Sequence, residues 1–508
     1  MSKRFYLTTA IAYPNGKPHM GHAYEAIASD AIARFKRLDG FDVRFLTGTD
    51  EHGLKIAQAA RDAGIDPRAY VDGTSQPFID LDRQLGISFD RFIRTTDDDH
   101  KALCQQLWQR MAANGDLYLG RYEGWYSVRD EAYYEEAELV AAVDAAGNPV
   151  KLSPQGTPVE WTVEESWFFR LSAYADRLLA LYAEHPEFIQ PTSRFNEMRA
   201  FVAGGLSDLS MSRTSFDWGV PVPGSPGHVM YVWVDALANY LTGAGGLDGE
   251  WWPADLHIIG KDVTRFHTIY WPAFLMSAGI ALPKTVFGHG FVLNRGVKMS
   301  KSDGNVVDPA AMAARFGVDR LRWFLLREVA FGEDGSYSDE AIIERTNADL
   351  ANGIGNLAQR ALSMVAKNLG GAMPAPGPSH GAAALAESLT ALTEAYFAAM
   401  NALQLHRALE AVMLMVNAAN GYFAENAPWS LAKTDTQAMA NVLHATLDAT
   451  RRIVLLVQPF VPDSAGRLLD QLGVAADARQ FSDFDAVVAT GTQLPAPAGV
   501  FPRWSEAA

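Results

Sequence analysis

Cysteine is nearly absent from this chain of 508 residues, since Cys104 is the only one. A single thiol excludes an intrachain disulfide and any metal site made of cysteines alone. Its neighbours on a predicted helix, Leu103, Leu107 and Trp108, favour a small core residue over a nucleophile. Long apolar runs are lacking as well, because the longest, such as Ile453–Val457, are far too short to cross a bilayer. The sequence therefore predicts a protein without a membrane-spanning segment.

Positive charge is also scarce, with 43 Lys and Arg against 59 Asp and Glu, which gives a net charge of −16. This balance argues against a nonspecific nucleic-acid binder, although a folded RNA can be recognised through a few local basic and aromatic contacts. The first predicted strand begins about five residues from the N-terminus, which leaves no room for a signal peptide. We therefore expect a soluble, cytoplasmic protein. Its length predicts about three or four structural units rather than one core.

Two short strings are the most informative feature that the chain does contain: His19-Met20-Gly21-His22 and Lys298-Met299-Ser300-Lys301-Ser302. Each supplies N–H donors or fixed positive charge to a phosphate site, and only folding can bring them together. Phe5–Ile11, before the first string, is predicted to be a buried strand. An apolar helix face follows at Ile27, Ala31, Phe35 and Leu38, and a second strand at Phe41, Val43 and Phe45. This order builds a parallel sheet and places both histidines at a helix N-terminus, which favours phosphate.

Five motifs occur in order through almost the whole chain: Ala12–His22, Thr47–Gly53, Trp233–Ala236, Gly260–Asp262 and Lys298–Ser302. Together they resemble class I aminoacyl-tRNA synthetases, and within them the methionyl-tRNA synthetase family. The resemblance implies ATP-dependent ligation of L-methionine to tRNA(Met) through a methionyl-adenylate, with release of AMP and pyrophosphate. The absence of a Gly-x-x-x-x-Gly-Lys-Ser/Thr string excludes a P-loop and independently favours a nucleotidyl-transferring sheet fold.

The same resemblance implies a Rossmann-type α/β catalytic domain with a parallel sheet, a connective insertion, and an all-α anticodon-binding helix bundle. We place the first half of the catalytic domain at 1–115 and the insertion at 116–218. The second half, with the Lys298–Ser302 loop, is placed at 219–340. The helical domain and C-terminal tail are placed at 341–508, where long amphipathic patterns predict a bundle.

The insertion has no cysteine, which bears on metal binding. In many relatives this region holds one or two four-cysteine zinc knuckles. Ser127 stands in Gly124-Trp125-Tyr126-Ser127, where a cysteine often appears. We therefore expect no structural zinc and no other protein-bound metal, with an insertion that is held together by aromatic packing.

By resemblance, the catalytic residues are His19, His22, Lys298 and Lys301. The histidines would hold the triphosphate of ATP, and the lysines would close over its β and γ phosphates. The other predicted ATP-binding residues are Gly260, Asp262, which would bind the ribose, and Ser300. In-line displacement at phosphorus depends on positioning and electrostatic stabilisation, which ring N–H groups and ammonium groups supply. Mg²⁺ is expected with ATP because it neutralises the triphosphate.

A methionine pocket must accept a flexible thioether and reject smaller and polar side chains. Aromatic walls suit this task, since each sulfur–aromatic contact contributes about 0.3–1.5 kcal/mol. The resemblance places seven residues around the substrate: Ile11, Tyr13, Trp233, Ala236, Tyr240, Val263 and His267. Asp50 would bind the ammonium group, and it follows a strand at the sheet edge where open α/β sheets bind ligands. Leu237 stands where many relatives have proline, so this wall is expected to differ slightly.

Three residues of the helical region are predicted to read the anticodon CAU of tRNA(Met). Asn356 and Arg360 lie four residues apart on one predicted helix face, and Trp429 follows Pro428. The bases of an RNA loop splay out, stack on aromatic rings and accept hydrogen bonds from amide and guanidinium groups. The chain ends soon after Phe501–Trp504, without the C-terminal module that makes some relatives dimers, so a monomer is expected.

Several alternative functions stay open. A synthetase for another apolar amino acid, such as leucine, isoleucine or valine, would carry an editing insertion much larger than the roughly 100 residues here. A cysteinyl enzyme would need a cysteine-bound zinc, which Cys104 alone cannot form. A noncatalytic tRNA-binding relative would be expected to lose some of its four phosphate-binding groups, and all four are present. Adenylation of a free small molecule is disfavoured by the predicted anticodon residues.

Overall fold

A computed structural model describes residues 3–130, 132–144, 147–297, 299 and 306–505. The strands are β1 Arg4–Thr9, β2 Asp42–Thr49, β3 Arg91–Arg94, β4 Leu117–Ser127, β5 Ala132–Tyr134, β6 Val140–Val143, β7 Pro149–Leu152, β8 Pro158–Phe169, β9 Ile189–Gln190, β10 Leu209–Ser210, β11 Ser212–Arg213, β12 Val229–Met230, β13 Leu256–Gly260, β14 Val286–His289, β15 Val292–Asn294 and β16 Gly335–Tyr337.

The α-helices are α1 Met20–Leu38, α2 Leu54–Asp62, α3 Pro67–Gln84, α4 Asp98–Ala113, α5 Ala175–Glu184, α6 Thr192–Ala203, α7 Val232–Gly243, α8 Trp271–Ala278, α9 Pro309–Phe316, α10 Val318–Glu328, α11 Asp339–Arg345, α12 Asn356–Asn368, α13 Ala382–Asn401, α14 Leu405–Glu425, α15 Pro428–Leu431, α16 Thr436–Val457 and α17 Pro462–Gln471. Two π-helical segments, Phe266–Tyr270 and Thr346–Gly355, precede α8 and α12. Short 3₁₀ turns are formed by Glu136–Glu138, Leu171–Tyr174, Lys261–Val263 and Phe481–Asp483.

Six strands form the main sheet in the order β3–β2–β1–β13–β14–β9, and every neighbouring pair is parallel. Both faces are covered, because Tyr6 in β1 belongs to one apolar core and Leu7 to the other. The chain adds β2 and β3 on one side of β1 and later adds β13 and β14 on the other. The carboxyl ends of β1 and β13 therefore enclose the crevice in which such sheets bind ligands. The predicted parallel α/β sheet is confirmed.

Helix α1 begins directly after the first histidine, which is its N-cap residue. Its buried face includes Ile27, Ala31 and Phe35, as the apolar spacing predicts. Basic residues at Lys36 and Arg37 in the last turn complement the negative end of the helix dipole. The packing of α1 on the sheet therefore fixes the position of its N-terminus at the sheet edge.

The predicted insertion is built on a long antiparallel ribbon of β4 and β8, which β5, β7 and β6 widen. The predicted insertion, residues 116–218, is not wholly separate from the main sheet, however. Within this range, β9 pairs in parallel with β14 and is the edge strand of the main sheet. A strand of two residues shows no alternating pattern, so the sequence could not reveal it.

A buried hydroxyl cluster surrounds the carboxylate of Asp130 in the insertion. The hydroxyls of Ser153 and Tyr134 donate to Asp130 Oδ2 at 2.7 and 3.0 Å, and Thr157 also donates to this oxygen. The hydroxyl of Ser127 lies 2.7 Å from that of Thr157. Aromatic contacts of the kind predicted are also present, between Trp125 and Trp161 and between Tyr126 and Tyr133. Hydrogen bonds therefore contribute to this region along with aromatic packing.

From α11 to α17 the chain forms a helix bundle, as the amphipathic patterns predict. Its apolar residues share one continuous core with α1 and α10 of the catalytic region. The bundle therefore packs directly onto the main sheet and its helices. Among the described residues, no helix combines the length and apolar composition that crossing a membrane requires.

Arg322 on α10 joins the two regions at a fully buried position. Its guanidinium donates to Asp30 of α1 at 2.7 Å, and to the carbonyl oxygens of Pro459 and Phe460 at 2.9 and 3.0 Å. Burial opposes ionisation of Asp30, but Arg322 and Arg34 hold its pKa below the ordinary value. An ion pair therefore connects α1 to the segment between α16 and α17.

Candidate active site at the carboxyl edge of the parallel sheet

The residues predicted to bind small ligands gather along one edge of the main sheet. Ile11 and Tyr13 follow β1, Asp50 follows β2, and Gly260 ends β13. His289 ends the next strand, β14. Loops at the carboxyl ends of neighbouring parallel strands meet at the same edge, so residues far apart in sequence become neighbours.

His19 and His22 are oriented by backbone donors at the start of α1. The N–H of Gly21 donates to His19 Nδ1, and the N–H of His19 donates to His22 Nδ1, both at 3.1 Å. The two rings stack with their centroids 3.8 Å apart. Since each Nδ1 accepts a hydrogen bond, each neutral ring carries its proton on Nε2.

Gly21 leaves room for the His19 ring in this arrangement. A Cβ at that position would lie 3.0 Å from the His19 ring, which is closer than real Cβ atoms normally approach. The motif therefore combines two ring Nε2–H donors with the positive end of a helix dipole. These features suit a phosphate.

A buried pair, Glu25 and His289, lies beside the predicted ribose-binding residues and was not found from the sequence. His289 donates from Nδ1 to the carbonyl oxygen of Gly290, and its Nε2 lies 2.8 Å from Glu25 Oε2. Burial raises the pKa of Glu25, and the nearby negative charge of Asp262 adds to this effect. Burial opposes charge on His289, but its hydrogen bond to Glu25 raises its pKa overall. The two side chains therefore share a proton next to Asp262.

The side chain of Asp262 folds back over Gly260. A Cβ on Gly260 would come within 2.6 Å of Asp262 Oδ1, so a side chain at the end of β13 would displace the Asp262 carboxylate from this position. Helix α1, β13 and β14 thus bring Glu25, Asp262 and His289 together. The sequence predicted Gly260 and Asp262 for ATP but gave no reason to select the other two.

Helix α7 provides one wall of the predicted methionine pocket. Trp233, Ala236 and Tyr240 are spaced at i, i+3 and i+7, which places them on one helix face. The indole ring of Trp233 stacks on Phe266 with a centroid distance of 3.7 Å and an interplanar angle of 4°. Phe266 belongs to the π-helical segment before α8 and was not predicted.

Burial keeps His267, and with it this wall, uncharged. Its Nδ1 lies 2.9 Å from the carbonyl oxygen of Val263, which can only accept, so Nδ1 carries the proton. Its Nε2 therefore accepts the hydroxyl proton of Tyr240, at 2.6 Å. Burial lowers the pKa of His267 to about 4, so the ring is neutral near pH 7. A neutral aromatic wall is suited to a thioether.

The loop after β2 positions Asp50 opposite the end of β1. The backbone N–H of Asp50 donates to the carbonyl oxygen of Ala12 at 2.8 Å, and the Asp50 residue is 8% exposed. Tyr13 follows Ala12, with the ammonium of Lys55 5.6 Å from its ring centroid. Ile11 packs against the core that contains α7. The structure therefore brings the predicted pocket residues from β1, β2 and α7 into one region.

Lys298, Ser300 and Lys301 lie outside the described residues, and their roles stay predictions. Val297, just before them, donates its N–H to the carbonyl oxygen of Asn294 at 2.9 Å in a turn that ends β15. β15 itself follows β14 after two residues. The chain therefore reaches the second motif directly from the strand that carries His289.

The predicted anticodon residues lie together on the helical bundle. The guanidinium carbon of Arg360 is 5.3 Å from the Trp429 ring centroid and 4.7 Å from that of Phe423. Trp429 is 45% exposed, and Asn356 lies one turn before Arg360 on α12. Arg360 and the exposed Trp429 ring therefore form a surface on which bases can stack, with the buried Phe423 ring beneath Arg360. Phe423 was not predicted, because its apolar neighbours in the sequence favour a core residue.

One group of potential metal ligands occurs among the described residues: His100, Cys104 and Asp235, all buried. His100 Nε2 and Asp235 Oδ1 are 2.7 Å apart, a hydrogen-bonding distance. Two ligands on one zinc ion would be about 3.3 Å apart, given bonds of about 2.0 Å. Burial and the Asp235 carboxylate raise the pKa of the Cys104 thiol, which opposes the thiolate form that metals bind. These side chains form a hydrogen-bond network.

This combination of a switch-point crevice, a histidine pair at a helix N-terminus and an attached helix bundle defines a class I aminoacyl-tRNA synthetase fold. A family model described as "tRNA synthetases class I (M)" matches residues 5–362, and one described as "Anticodon binding domain of methionyl tRNA ligase" matches residues 373–507. The chain belongs to the methionyl-tRNA synthetase family. The predicted family and fold class are confirmed.

Known proteins similar to the chain match it over nearly its whole length. The methionine–tRNA ligase of Brucella suis is 57% identical over 99% of each chain, and that of Mycobacterium bovis is 58% identical over 99% of this chain and 98% of its own. Among solved structures, Mycobacterium tuberculosis methionyl-tRNA synthetase in complex with methionyl-adenylate has a TM-score of 0.95 and 56% identity. That match covers 99% of this chain and 100% of the other.

Proposed function

We propose that this protein activates L-methionine with ATP to give methionyl-adenylate and pyrophosphate, then transfers methionine to tRNA(Met) with release of AMP. One observation carries the proposal. His19 and His22, Asp262 with its neighbours Glu25 and His289, and the predicted methionine pocket lie at the crevice where the strand order of the sheet reverses. The chain that carries them matches methionyl-tRNA synthetases over nearly its whole length.

In the first step, the methionine carboxylate attacks the α-phosphate of ATP, and negative charge develops on the departing pyrophosphate. The Nε2–H groups of His19 and His22 donate to phosphate oxygens, and the start of α1 adds its dipole. Lys298 and Lys301 supply positive charge to the β and γ phosphates. ATP enters as its Mg²⁺ complex, in which the ion neutralises part of the triphosphate charge.

Methionine is held at both ends of the molecule. The Asp50 carboxylate binds the ammonium group, while Trp233, Ala236, Tyr240 and His267 surround the thioether side chain. Ile11, Tyr13 and Val263 complete this pocket. The neutral form of His267 favours methionine, because a charged ring would bind an apolar side chain less well.

The adenosine part of ATP binds at the carboxyl ends of β13 and β14. Asp262 accepts hydrogen bonds from the ribose hydroxyls, and the backbone at Gly260 allows the ribose to approach. Ser300 is assigned to the phosphate side of the same nucleotide. The Glu25–His289 pair borders this position, and both side chains lie close enough to Asp262 to feel its charge.

In the second step, the terminal ribose hydroxyl of tRNA attacks the adenylate carbonyl carbon, and AMP leaves. Asn356, Arg360 and Trp429 read the CAU anticodon, and Phe423 supports Arg360 from below by ring stacking. We further propose that the protein acts as a cytoplasmic monomer and holds no structural zinc. The hydroxyl cluster around Asp130 supports the zinc-free insertion, because hydrogen bonds already hold that segment.

The first test is exchange of labelled pyrophosphate into ATP with each amino acid in turn. We expect exchange with methionine alone and a large loss in the Lys301→Ala variant. Exchange with another amino acid would contradict the pocket assignment. Absence of exchange with every amino acid would favour a noncatalytic tRNA-binding protein.

A second test separates adenylate formation from tRNA recognition. Trp429→Ala should leave pyrophosphate exchange unchanged and reduce charging of tRNA(Met) by about tenfold or more, since one base–aromatic stack contributes about 1–3 kcal/mol. Val487→Ala removes a comparably exposed apolar side chain and should leave both activities unchanged. Unchanged charging in Trp429→Ala would contradict the anticodon assignment.

A further inference from the structure

Asp235 bridges two histidines on the side of α7 away from the predicted methionine pocket. Its Oδ2 lies 2.5 Å from His52 Nδ1, and its Oδ1 lies 2.7 Å from His100 Nε2. The three side chains are 1%, 4% and 0% exposed, respectively. Burial opposes ionisation, but His52 and His100 lower the pKa of Asp235 to about 2. The carboxylate is therefore ionised at neutral pH and accepts a hydrogen bond from each ring.

The bridge connects the two sides of the pocket. His52 lies two residues after Asp50, the proposed ligand of the methionine ammonium group. Asp235 lies between Trp233 and Ala236, which belong to the aromatic wall on the same helix. The hydrogen bond between His52 and Asp235 therefore fixes the loop after β2 against α7.

Further contacts hold each end of the bridge in place. His100 on α4 also bonds from Nδ1 to Thr242 Oγ1 of α7, at 2.9 Å. On the loop side, the Trp218 ring lies 5.4 Å from the ring of His52, and its indole N–H donates to the Glu51 carbonyl oxygen at 2.7 Å. The separation between the loop and the helix is therefore set by directional hydrogen bonds.

We propose that Asp235 is a positioning residue for methionine, whose hydrogen bonds to His52 and His100 set the separation between Asp50 and the Trp233 wall. The role presupposes the methionine pocket proposed above. A substrate held by its ammonium group and its side chain at once is sensitive to this separation, and misplacement by about 1 Å can reduce catalysis about a hundredfold.

A buried carboxylate is a poor choice if only packing is needed at this position. An ionised side chain loses its hydration on burial and is tolerated only when hydrogen bonds replace it. An apolar residue would fill the space without that loss. The carboxylate instead fixes relative positions, because its two oxygens accept directional hydrogen bonds from donors on two different elements.

The test uses the two amides as matched replacements for histidine. The side-chain amide of Asn occupies the position of a histidine Nδ1, whereas that of Gln reaches the position of Nε2. His52→Asn and His100→Gln therefore keep the donor to Asp235, and His52→Gln and His100→Asn lose it. The measurements are the KM values for methionine and for ATP in pyrophosphate exchange, together with the melting temperature of each variant.

We expect His52→Gln and His100→Asn to raise the KM for methionine about tenfold or more, the effect of losing one charged hydrogen bond in a buried site. The KM for ATP should change less than about twofold, and the two donor-keeping variants should stay near wild type. Selectivity for methionine over ethionine and norleucine should fall in the donor-losing variants only.

Similar KM values for methionine in all four variants would overturn the proposal, whatever their melting temperatures. If the donor-losing variants do not fold, Asp235→Asn decides, because its amide can accept from His52 and donate to a neutral His100. A KM for methionine near wild type in Asp235→Asn would then support the hydrogen-bond role, and a large rise would overturn it. Failure of the proposed function is distinct, since the wild-type protein would then show no methionine-dependent exchange.

Discussion

The two ring nitrogens of His19 have separate tasks, which makes this residue a direct test of the phosphate site. Nδ1 caps helix α1, and Nε2 carries the donor proposed for ATP. His19→Asn keeps a capping oxygen, since Asn is a favoured N-cap residue, but loses the Nε2–H group. We expect the melting temperature to stay within about 2 °C of wild type. The kcat of pyrophosphate exchange should fall about 10²–10³-fold.

His19→Ala serves as the control for the cap. It loses the capping oxygen as well as the donor, so it should reduce exchange to a similar extent and also lower the melting temperature. Thermal unfolding and pyrophosphate exchange, measured on the three proteins side by side, separate the two tasks. Normal exchange in His19→Asn would show that this ring does not bind the phosphates.

Asp82 on α3 predicts a pH dependence of stability. Burial, with the charges of Asp30 and Glu25, raises its pKa to about 7, whereas an unfolded Asp titrates near about 3.9. Between these values the folded protein binds more protons than the unfolded chain, so the free energy of unfolding falls as the pH rises. Asp82→Asn cannot ionise and should melt above wild type at about pH 8, with no such advantage at about pH 4. Equal melting temperatures at the higher pH would contradict the raised pKa.

Individual site residues were predictable only where a motif marked them. His19, His22, Asp50 and Asp262 stand in strings whose types and order carry information. Glu25 and His289 are far apart in sequence and become partners only because α1 and β14 lie on the same part of the sheet. Stacking partners such as Phe266 and Phe423 resemble ordinary core residues in the sequence. An aromatic residue that stacks on a site residue has the same spacing along a helix as one that only packs in the core.

At the scale of the elements, strong periodicity made the main features predictable. The strand, loop and helix around the first motif follow the apolar pattern, because β1 is buried and the apolar positions Ile27, Ala31 and Phe35 of α1 are buried as well. The π-helical segments Phe266–Tyr270 and Thr346–Gly355 were not foreseen, since an inserted residue barely changes a helical pattern. The first segment contains the proposed binding residue His267, and the second ends directly before Asn356.

The insertion gives a prediction about metal dependence. Asp130→Ala would remove the carboxylate that accepts from the buried hydroxyls of Ser153 and Thr157, which would keep only hydrogen bonds among hydroxyls. A buried donor left without an acceptor is destabilising by about 1–3 kcal/mol. We expect a lower melting temperature for this variant, while Glu160→Ala, an exposed acidic residue of β8, should match wild type. Treatment with a chelator, followed by return of Mg²⁺, should change neither stability nor exchange in the wild-type protein. A fall in melting temperature after chelation would contradict a zinc-free insertion.

At the scale of the whole molecule, the catalytic sheet and the helical bundle share one core. The apolar residues of α1 and α10 are continuous with those of α12, α14 and α16. The sequence predicted both regions but not the interface between them. Amphipathic patterns show which face of a helix is buried, but they do not show which element covers that face. Binding at the anticodon surface and at the sheet edge therefore acts on parts of one packed body.

Arg322 allows the strength of this interface to be measured. Arg322→Met keeps much of the volume but leaves the Asp30 carboxylate without its buried partner, and the carbonyl oxygens of Pro459 and Phe460 without a donor. Breaking a buried ion pair from one side lowers the free energy of unfolding by about 3–5 kcal/mol. We expect a clear fall in the urea concentration at the midpoint of unfolding, which is measured by tryptophan fluorescence. Arg467→Met, which removes an exposed arginine of α17, is the matched control and should leave the midpoint unchanged.

The double variant Arg322→Met with Asp30→Asn tests whether the charge pair itself is responsible. Removing both charges leaves no ion at the two fully buried positions, and Arg34, which also pairs with Asp30, is partly exposed and keeps its hydrogen bond to the carbonyl oxygen of Gly86. The double variant should therefore be more stable than Arg322→Met alone. Additive losses in the two single variants would instead mean that each side chain contributes through packing. In that case the contact between α1 and the segment before α17 would depend on the shapes of the two side chains rather than on their charges.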